Sequence, residues 1–383
     1  MKKVIGAAII VYILTVVLTF AALKGKDRTT NFLSPFTERK INEEVLASNT
    51  SPKKIFGFLP FWTLKDLHRE SYQDVDVVYY FSLIVKDSGE FDKTEPGWLR
   101  LKDFPKIGKS QGLTITCMKQ DDIVAVINNP GKQKRIIANT LALMKQHHLT
   151  HLDVDFEYVG SPPSNLTKNY TSFIKNFADK LHEEIPGSTL SVATLSDAVW
   201  KTRMYDIVEI GKVADYIIVM AYDFTRIPSA NSGPVAPLFG REKFEYDVYT
   251  TMTDYLKSAP AEKIVMGIPF YGYEWPTIDN EPYAFTLSRT SFGPALSTIK
   301  RTAQTLTETG ATVVFDDLSK TPWFSYFDAK GQTWRQVWFE NERSIGLKLD
   351  LVNQADLAGM AIWALGYEGN NPNLWGVIKD KIL

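Results

Sequence analysis

One cysteine, five histidines and almost no net charge occur in the 383 residues, and each shortage removes a class of protein. A single thiol, Cys117, cannot build an internal disulfide framework, a cysteine-rich zinc site or an iron–sulfur cluster. The histidines (His68, His147, His148, His151 and His182) show no metal-ligand spacing, so no zinc chemistry is expected. With 43 Lys and Arg against 44 Asp and Glu, no basic excess exists to displace counterions, and nucleic acid is not an expected partner. No G-x-G-x-x-G or G-x-x-x-x-G-K-[ST] loop follows any strand-like run, and no cofactor is expected. What remains, at 44% hydrophobic and 23% charged, is a globular composition rather than a disordered or collagen-like one.

The N-terminus reads as an address. Residues 4–23 form an apolar run preceded by Lys2 and Lys3. At 1.5 Å per residue such a helix covers roughly 30 Å, the hydrocarbon thickness of a bilayer. The run is longer than the core of an ordinary signal peptide, so the expectation is an uncleaved signal anchor spanning residues 1–24, with a cleaved signal as the alternative. Either way the chain is expected to be exported, held at a membrane in the first case and secreted in the second. Residues 25–53 turn polar and lose periodicity, as a linker does.

From Lys54 onward short apolar runs alternate with helical patterns: KIFGFLP, VDVVYYFSLIV, LTITCM, HLDVDFEYV, TLSVATL, ADYIIVMAYDF, KIVMGIPFYG and LAGMAIWAL. Near-continuous apolar strands imply burial on both faces, the habit of parallel strands covered by helices. Between the third and fourth runs, Ile136, Ile137, Leu141 and Met144 mark one side of a helix. Eight such units predict an α/β fold, a closed (β/α)8 TIM barrel over residues 54–383, with a doubly wound sheet as the weaker alternative. The long gap between the seventh and eighth runs is too large for a structureless loop. Its strand-like pieces surround one helical piece and predict a small α+β insertion at about residues 275–340.

The most informative segment is Leu152-Asp153-Val154-Asp155-Phe156-Glu157. Side chains at i, i+2 and i+4 of a strand share a face, so the three acids point together while the apolar residues point into the helix layer. Like charges crowded inside a barrel cannot all ionise cheaply, and at least one carboxyl is forced toward the protonated state a general acid needs. A solvated edge strand and a hard-cation site for Mg²⁺ or Ca²⁺ are the two competing readings.

The Asp153-x-Asp155-x-Glu157 run resembles the D-x-x-D-x-D-x-E signature of glycoside hydrolase family 18, the chitinase-like hydrolases. Thr150 stands at the first Asp position and His151 where Gly is usual. Thr116-Cys117-Met118-Lys119 replaces the family's S-x-G-G element. Met220-Ala221-Tyr222-Asp223 is similar to the M-x-Y-D element, Gly267 to Gly272 to the end of the seventh strand, and Gly359 to Leu365 to the eighth. Gly57 to Trp62 resembles the first strand, and the Ser232 to Pro237 loop is similar to that of the cell-wall-associated and spore-associated branch.

The resemblance implies a retaining glycosidase on β-1,4-linked N-acetylglucosamine glycans, either chitin and its oligosaccharides or peptidoglycan. Catalysis is then substrate-assisted, the substrate's 2-acetamido oxygen attacking the anomeric carbon. Glu157 is implied as acid and base, and Asp155 as the group that holds the acetamido N–H. Asp153 shares a proton with Asp155, and Tyr222 bonds the acetamido oxygen. Asp223 and Met220 shape the sugar site, Trp363 is its floor, and Trp62 and Tyr271 are further walls. A catalytically silent, lectin-like glycan-binding barrel of the cell envelope is the alternative.

Overall fold

The computed structural model describes residues 52–287 and 293–383. The apolar run at residues 4–23 and nearly all of the polar linker lie outside the described residues. Among the described residues no helix is long and apolar enough to cross a membrane.

Eight parallel strands close into a barrel: β1 (Lys54–Pro60), β2 (Val77–Ile84), β3 (Ser110–Cys117), β4 (His151–Phe156), β5 (Thr189–Leu195), β6 (Tyr216–Met220), β7 (Ile264–Pro269) and β13 (Gly359–Trp363). They are hydrogen-bonded in chain order, with β13 closing against β1. This is the (β/α)8 barrel that the eight apolar runs predict. The period-two pattern decides which side chains face which layer. Leu152, Val154 and Phe156 of β4 are buried among helix residues, and the Phe156 ring stacks on Phe173 at 5.9 Å. A separate interior cluster of Phe56, Phe58, Val77, Tyr79, Ile218, Val265 and Ala361 fills the barrel. Gly112 makes room for it, because a Cβ there would come within 2.5 Å of the Tyr79 ring.

The helix predicted between the third and fourth runs spans Pro130–His147. The Asn129 side chain accepts from the amides of Gly131 and Lys132, at 3.0 and 3.1 Å, and so starts the helix with Pro130 at its first position. It ends at His148, whose φ of 57° is the left-handed cap conformation.

A second sheet rises between β7 and β13. Its strands are β8 (Tyr271–Thr277), β9 (Ala295–Thr298), β10 (Val314–Asp316), β11 (Thr321–Asp328) and β12 (Thr333–Trp338), antiparallel in the order β10-β11-β12-β8-β9. The helix Ile299–Thr309 follows β9. The seventh apolar run therefore divides: Phe270 separates β7 from β8, its amide donating to Trp363 O and its carbonyl accepting from Ile299 N. Trp323 and Trp338 stack at 5.5 Å in the core of this sheet, and Phe324 and Phe339 are buried with Val337. Beneath them the buried Arg335 Nε donates to Glu274 Oε1 at 2.7 Å, and the Tyr326 hydroxyl donates to the same oxygen at 2.7 Å.

Candidate active site

β4 lies between β3 and β5, so its acidic face is inside the barrel and not on a solvated edge. Asp153 is wholly buried, Asp155 is 5% exposed, and Glu157, one residue past the strand, is half-buried. The three therefore climb from the barrel floor toward its C-terminal mouth, the end where such barrels carry their chemistry. Glu157 is held there by its amide, which donates to Cys117 O at 3.1 Å.

A cavity of about 500 Å³ opens above these acids. Asp153, Asp155, Glu157, Met220, Tyr222, Asp223, Tyr271 and Trp363 all line it, eight of the nine residues singled out from the sequence. Trp62 does not. It is 40% exposed, its ring meets Phe81 edge-on at 6.2 Å, and its Nε1 donates to the Tyr367 hydroxyl at 3.2 Å. Because Phe81 itself lines the cavity, Trp62 stands one ring outside it. Trp363, at the end of β13, packs edge-on against Phe81 at 4.5 Å and against Phe58 at 5.8 Å, which fixes the indole plane.

Burial sets the protonation of the acids. Asp153 accepts from Ser191 Oγ at 2.8 Å through Oδ1, while its Oδ2 has no hydrogen-bond partner within the protein. Desolvation pushes it up to about 7, against the pull of the Ser191 and Thr114 hydroxyls. Asp155 also leaves an oxygen, Oδ1, without a protein partner. Burial, then the charges of Glu157 and Asp153, raise it well above the usual carboxylate range. Glu157 is raised by burial and by Asp223, with Arg226 acting the other way. A carboxyl raised in this way at the mouth of a cavity suits general-acid work better than an unperturbed one. Tyr222 is raised far from its ordinary value by burial and then by Asp155, so its hydroxyl stays protonated and can donate to a carbonyl oxygen.

Asp223 comes from two strands away, just after β6, with a φ of 61°. Its Oδ1 accepts from the Tyr271 hydroxyl at 2.6 Å and from the Tyr273 hydroxyl at 2.9 Å. Burial still leaves it raised. Sequence reasoning passes over Tyr273, although it follows Tyr271 by two positions and shares its face of β8. The same period-two reading of TLSVATL places Ser191 inside the barrel beside Asp153. Lys201, Arg203 and Arg226, which also line the cavity, come from loops and carry no pattern. Among the described residues no group of three or more His, Cys, Asp or Glu is arranged to hold a metal ion.

The profile of the glycosyl hydrolases family 18 matches residues 112–368, more than half of the sequence, and the chain belongs to that family. The cortical fragment-lytic enzyme of Bacillus subtilis is 26% identical over 263 residues, covering 67% of this chain and 55% of the relative. The chain thus spans about half the length of that relative. Human di-N-acetylchitobiase is 24% identical over 342 residues, covering 79% of this chain and 85% of the relative. Among solved structures, the Bacillus megaterium QM B1551 spore cortex-lytic enzyme SleL superposes with a TM-score of 0.69 at 20% identity. That superposition covers 88% of this chain and 76% of the other, a likeness of fold.

Proposed function

We propose that the chain is a retaining, substrate-assisted glycosidase that hydrolyses β-1,4 bonds in N-acetylglucosamine-containing glycans of the chitin or peptidoglycan kind. We further propose that it works outside the cytoplasm, tethered by residues 4–23. The observation that carries the reading is the run of carboxyls along and just past β4, buried at Asp153 and Asp155 and half-buried at Glu157, beside an open cavity. Glu157 protonates the leaving oxygen and later takes a proton from the incoming water. Asp155, with an oxygen free of protein partners, receives the acetamido N–H and so orients the acetamido group toward the anomeric carbon. The Tyr222 hydroxyl steadies the acetamido oxygen, and Trp363 offers an indole face to the sugar. The names of the relatives agree with this substrate class, one a cortical fragment-lytic enzyme and another a chitobiase.

Asp223 supports a second reading. It is a carboxylate facing the same cavity from another strand, the placement a conventional nucleophile requires. Against that role, its Oδ1 already accepts two tyrosine hydroxyls and burial favours its neutral form, both of which weaken a nucleophile. The two readings part on substrate. A substrate-assisted enzyme cleaves a 2-acetamido glycoside and leaves the 2-hydroxyl analogue at background, whereas an Asp223 nucleophile cleaves both. Glu157→Gln is expected to lower turnover on a chitooligosaccharide by at least about 10²-fold, the scale of one general acid, while oligosaccharide binding survives. Near-normal turnover in that variant refutes the assignment.

A further inference from the structure

Beside the acid cavity lies a second pocket of about 510 Å³, and Arg226 lines both. It is formed by the loop after β6, the short helix Arg241–Phe244 and Tyr283. Its charged lining is Arg226 and Lys243 against one acid, Glu245. The other two cations of the acid cavity are already engaged. Arg203 donates to both oxygens of Asp197, at 2.9 and 2.6 Å, and Lys201 Nζ lies 3.4 Å from the same carboxylate. Arg226 and Lys243 form no salt bridge among the described residues, although the Arg226 charge reaches Glu157 and Asp223 in the neighbouring cavity. Lys243 is instead poised over an aromatic face, its Nζ 3.1 Å from the Tyr283 ring centroid, with the Phe244 ring 5.8 Å from that of Tyr283. Burial shifts the Lys243 ammonium below its ordinary value, and the charge of Asp316 opposes that shift only in part.

Two cations outside any salt bridge, one of them over an aromatic face, suit a carboxylate borne on a sugar. The guanidinium fork matches the planar carboxylate, the ammonium adds a point charge, and the rings cover apolar sugar surface. A neutral polymer gains nothing from that pairing. Of the two glycans in the proposed function, chitin carries no carboxylate, whereas peptidoglycan carries a 3-O-lactyl ether on alternate residues. We propose that Arg226 and Lys243 form a subsite for the lactyl carboxylate of an acidic N-acetylated amino sugar. The preferred substrate is then the alternating, carboxylate-bearing glycan and not chitin. The proposal rests on the glycosidase reading of the neighbouring acids and narrows it to one substrate class.

The test uses the full chain in detergent and four substrates of equal length: a chitooligosaccharide, the lactyl-bearing glycan as free acid, its methyl ester, and its peptide-substituted form. The free acid is expected to exceed the ester in kcat/KM by roughly tenfold or more, the scale of charge-assisted pairing. Arg226→Gln and Lys243→Gln should each collapse that ratio, chiefly through KM, while the ratio of ester to chitooligosaccharide stays put. A wild-type ratio near one overturns the proposal, and so does a Lys243→Gln variant with the preference intact. In the peptide-substituted glycan the lactyl carboxylate is consumed in an amide. Loss of the preference there supports the lactyl assignment, and its retention overturns it. If no substrate is hydrolysed, the glycosidase reading fails separately. Calorimetry of acid and ester on E157Q then decides the subsite, tighter binding of the acid supporting it and equal binding overturning it.

Discussion

Asp153→Asn is expected to stabilise the protein at pH 8 relative to pH 4, although it deletes a charged group from the centre of the barrel. Asp153 is wholly buried, with one oxygen bonded to Ser191 at 2.8 Å and the other without a protein partner. Its carboxyl is pushed from 3.8 up to about 7, so the folded chain keeps a proton that the unfolded chain has released. Stability from this group is therefore fully present below 3.8 and is lost as pH rises through about 7. A shift from 3.8 to about 7 corresponds to about 4 kcal/mol, lost in full by pH 8. Asparagine keeps the acceptor for Ser191 and has no proton to lose. The variant-minus-wild-type difference should thus grow by up to about 4 kcal/mol between the two pH values, from the same shift. Urea unfolding at pH 4 and pH 8, followed by tryptophan fluorescence with slopes compared, measures it. A difference that is equal at both pH values, or larger in acid, refutes the reasoning that burial sets this carboxyl.

Removing both donors to Asp223, with Tyr271→Phe and Tyr273→Phe, should raise the Asp223 carboxyl further, because those hydroxyls now hold it down. A more often neutral Asp223 raises Glu157 less, so the basic limb of the kcat/KM profile should move to lower pH; a limb that stays or moves upward refutes the coupling. Deleting residues 1–47 should leave the unfolding midpoint unchanged, since the barrel's first strand begins only at Lys54. A lower midpoint would show that the deleted segment packs against the fold.

Where the sequence was legible, one physical rule carried the information. Burial on both faces made eight strands readable as apolar runs, and the period of two gave the inward side of β4 without any contact in view. Trp363 and Tyr222 are legible through the family resemblance instead, each near the mouth end of an apolar run. The rule fails where geometry is made between distant segments. Phe270 ends β7 because its amide meets Trp363 O, a partner nearly a hundred positions away, so the run KIVMGIPFYG looked continuous. Trp62 reads like a site wall by its place after β1. The short turn Phe61–Thr63 instead carries it outward to the Tyr367 hydroxyl. The loop cations escape altogether, because a lone arginine among polar residues has no periodicity to betray where it points.

The departures from the family signature gain meaning from their depth in the barrel. Thr150 and His151 stand where an acid and a glycine are usual, yet both belong to the N-terminal end of β4, the face of such barrels that serves stability. Thr150 is tied through its backbone to Gln111 O and to Thr189 N, and His151 Nδ1 lies 2.7 Å from the Thr189 hydroxyl. Desolvation holds that imidazole down to about 4, so it stays neutral and brings no charge to the acids above it. Position 150 is half-buried and falls on the other side of the period-two pattern, so a carboxyl there would not join the acidic face of Asp153. Asp153 is served by Ser191 Oγ, which also lies 3.1 Å from the Tyr79 hydroxyl. The raised state of Asp155 and Glu157 follows from burial first and from neighbouring acids second, and neither cause involves position 150. The chemistry at the mouth is thus set by barrel closure and by Asp153, Asp155 and Asp223. The incomplete signature changes how the floor is packed without removing what raises the Glu157 carboxyl.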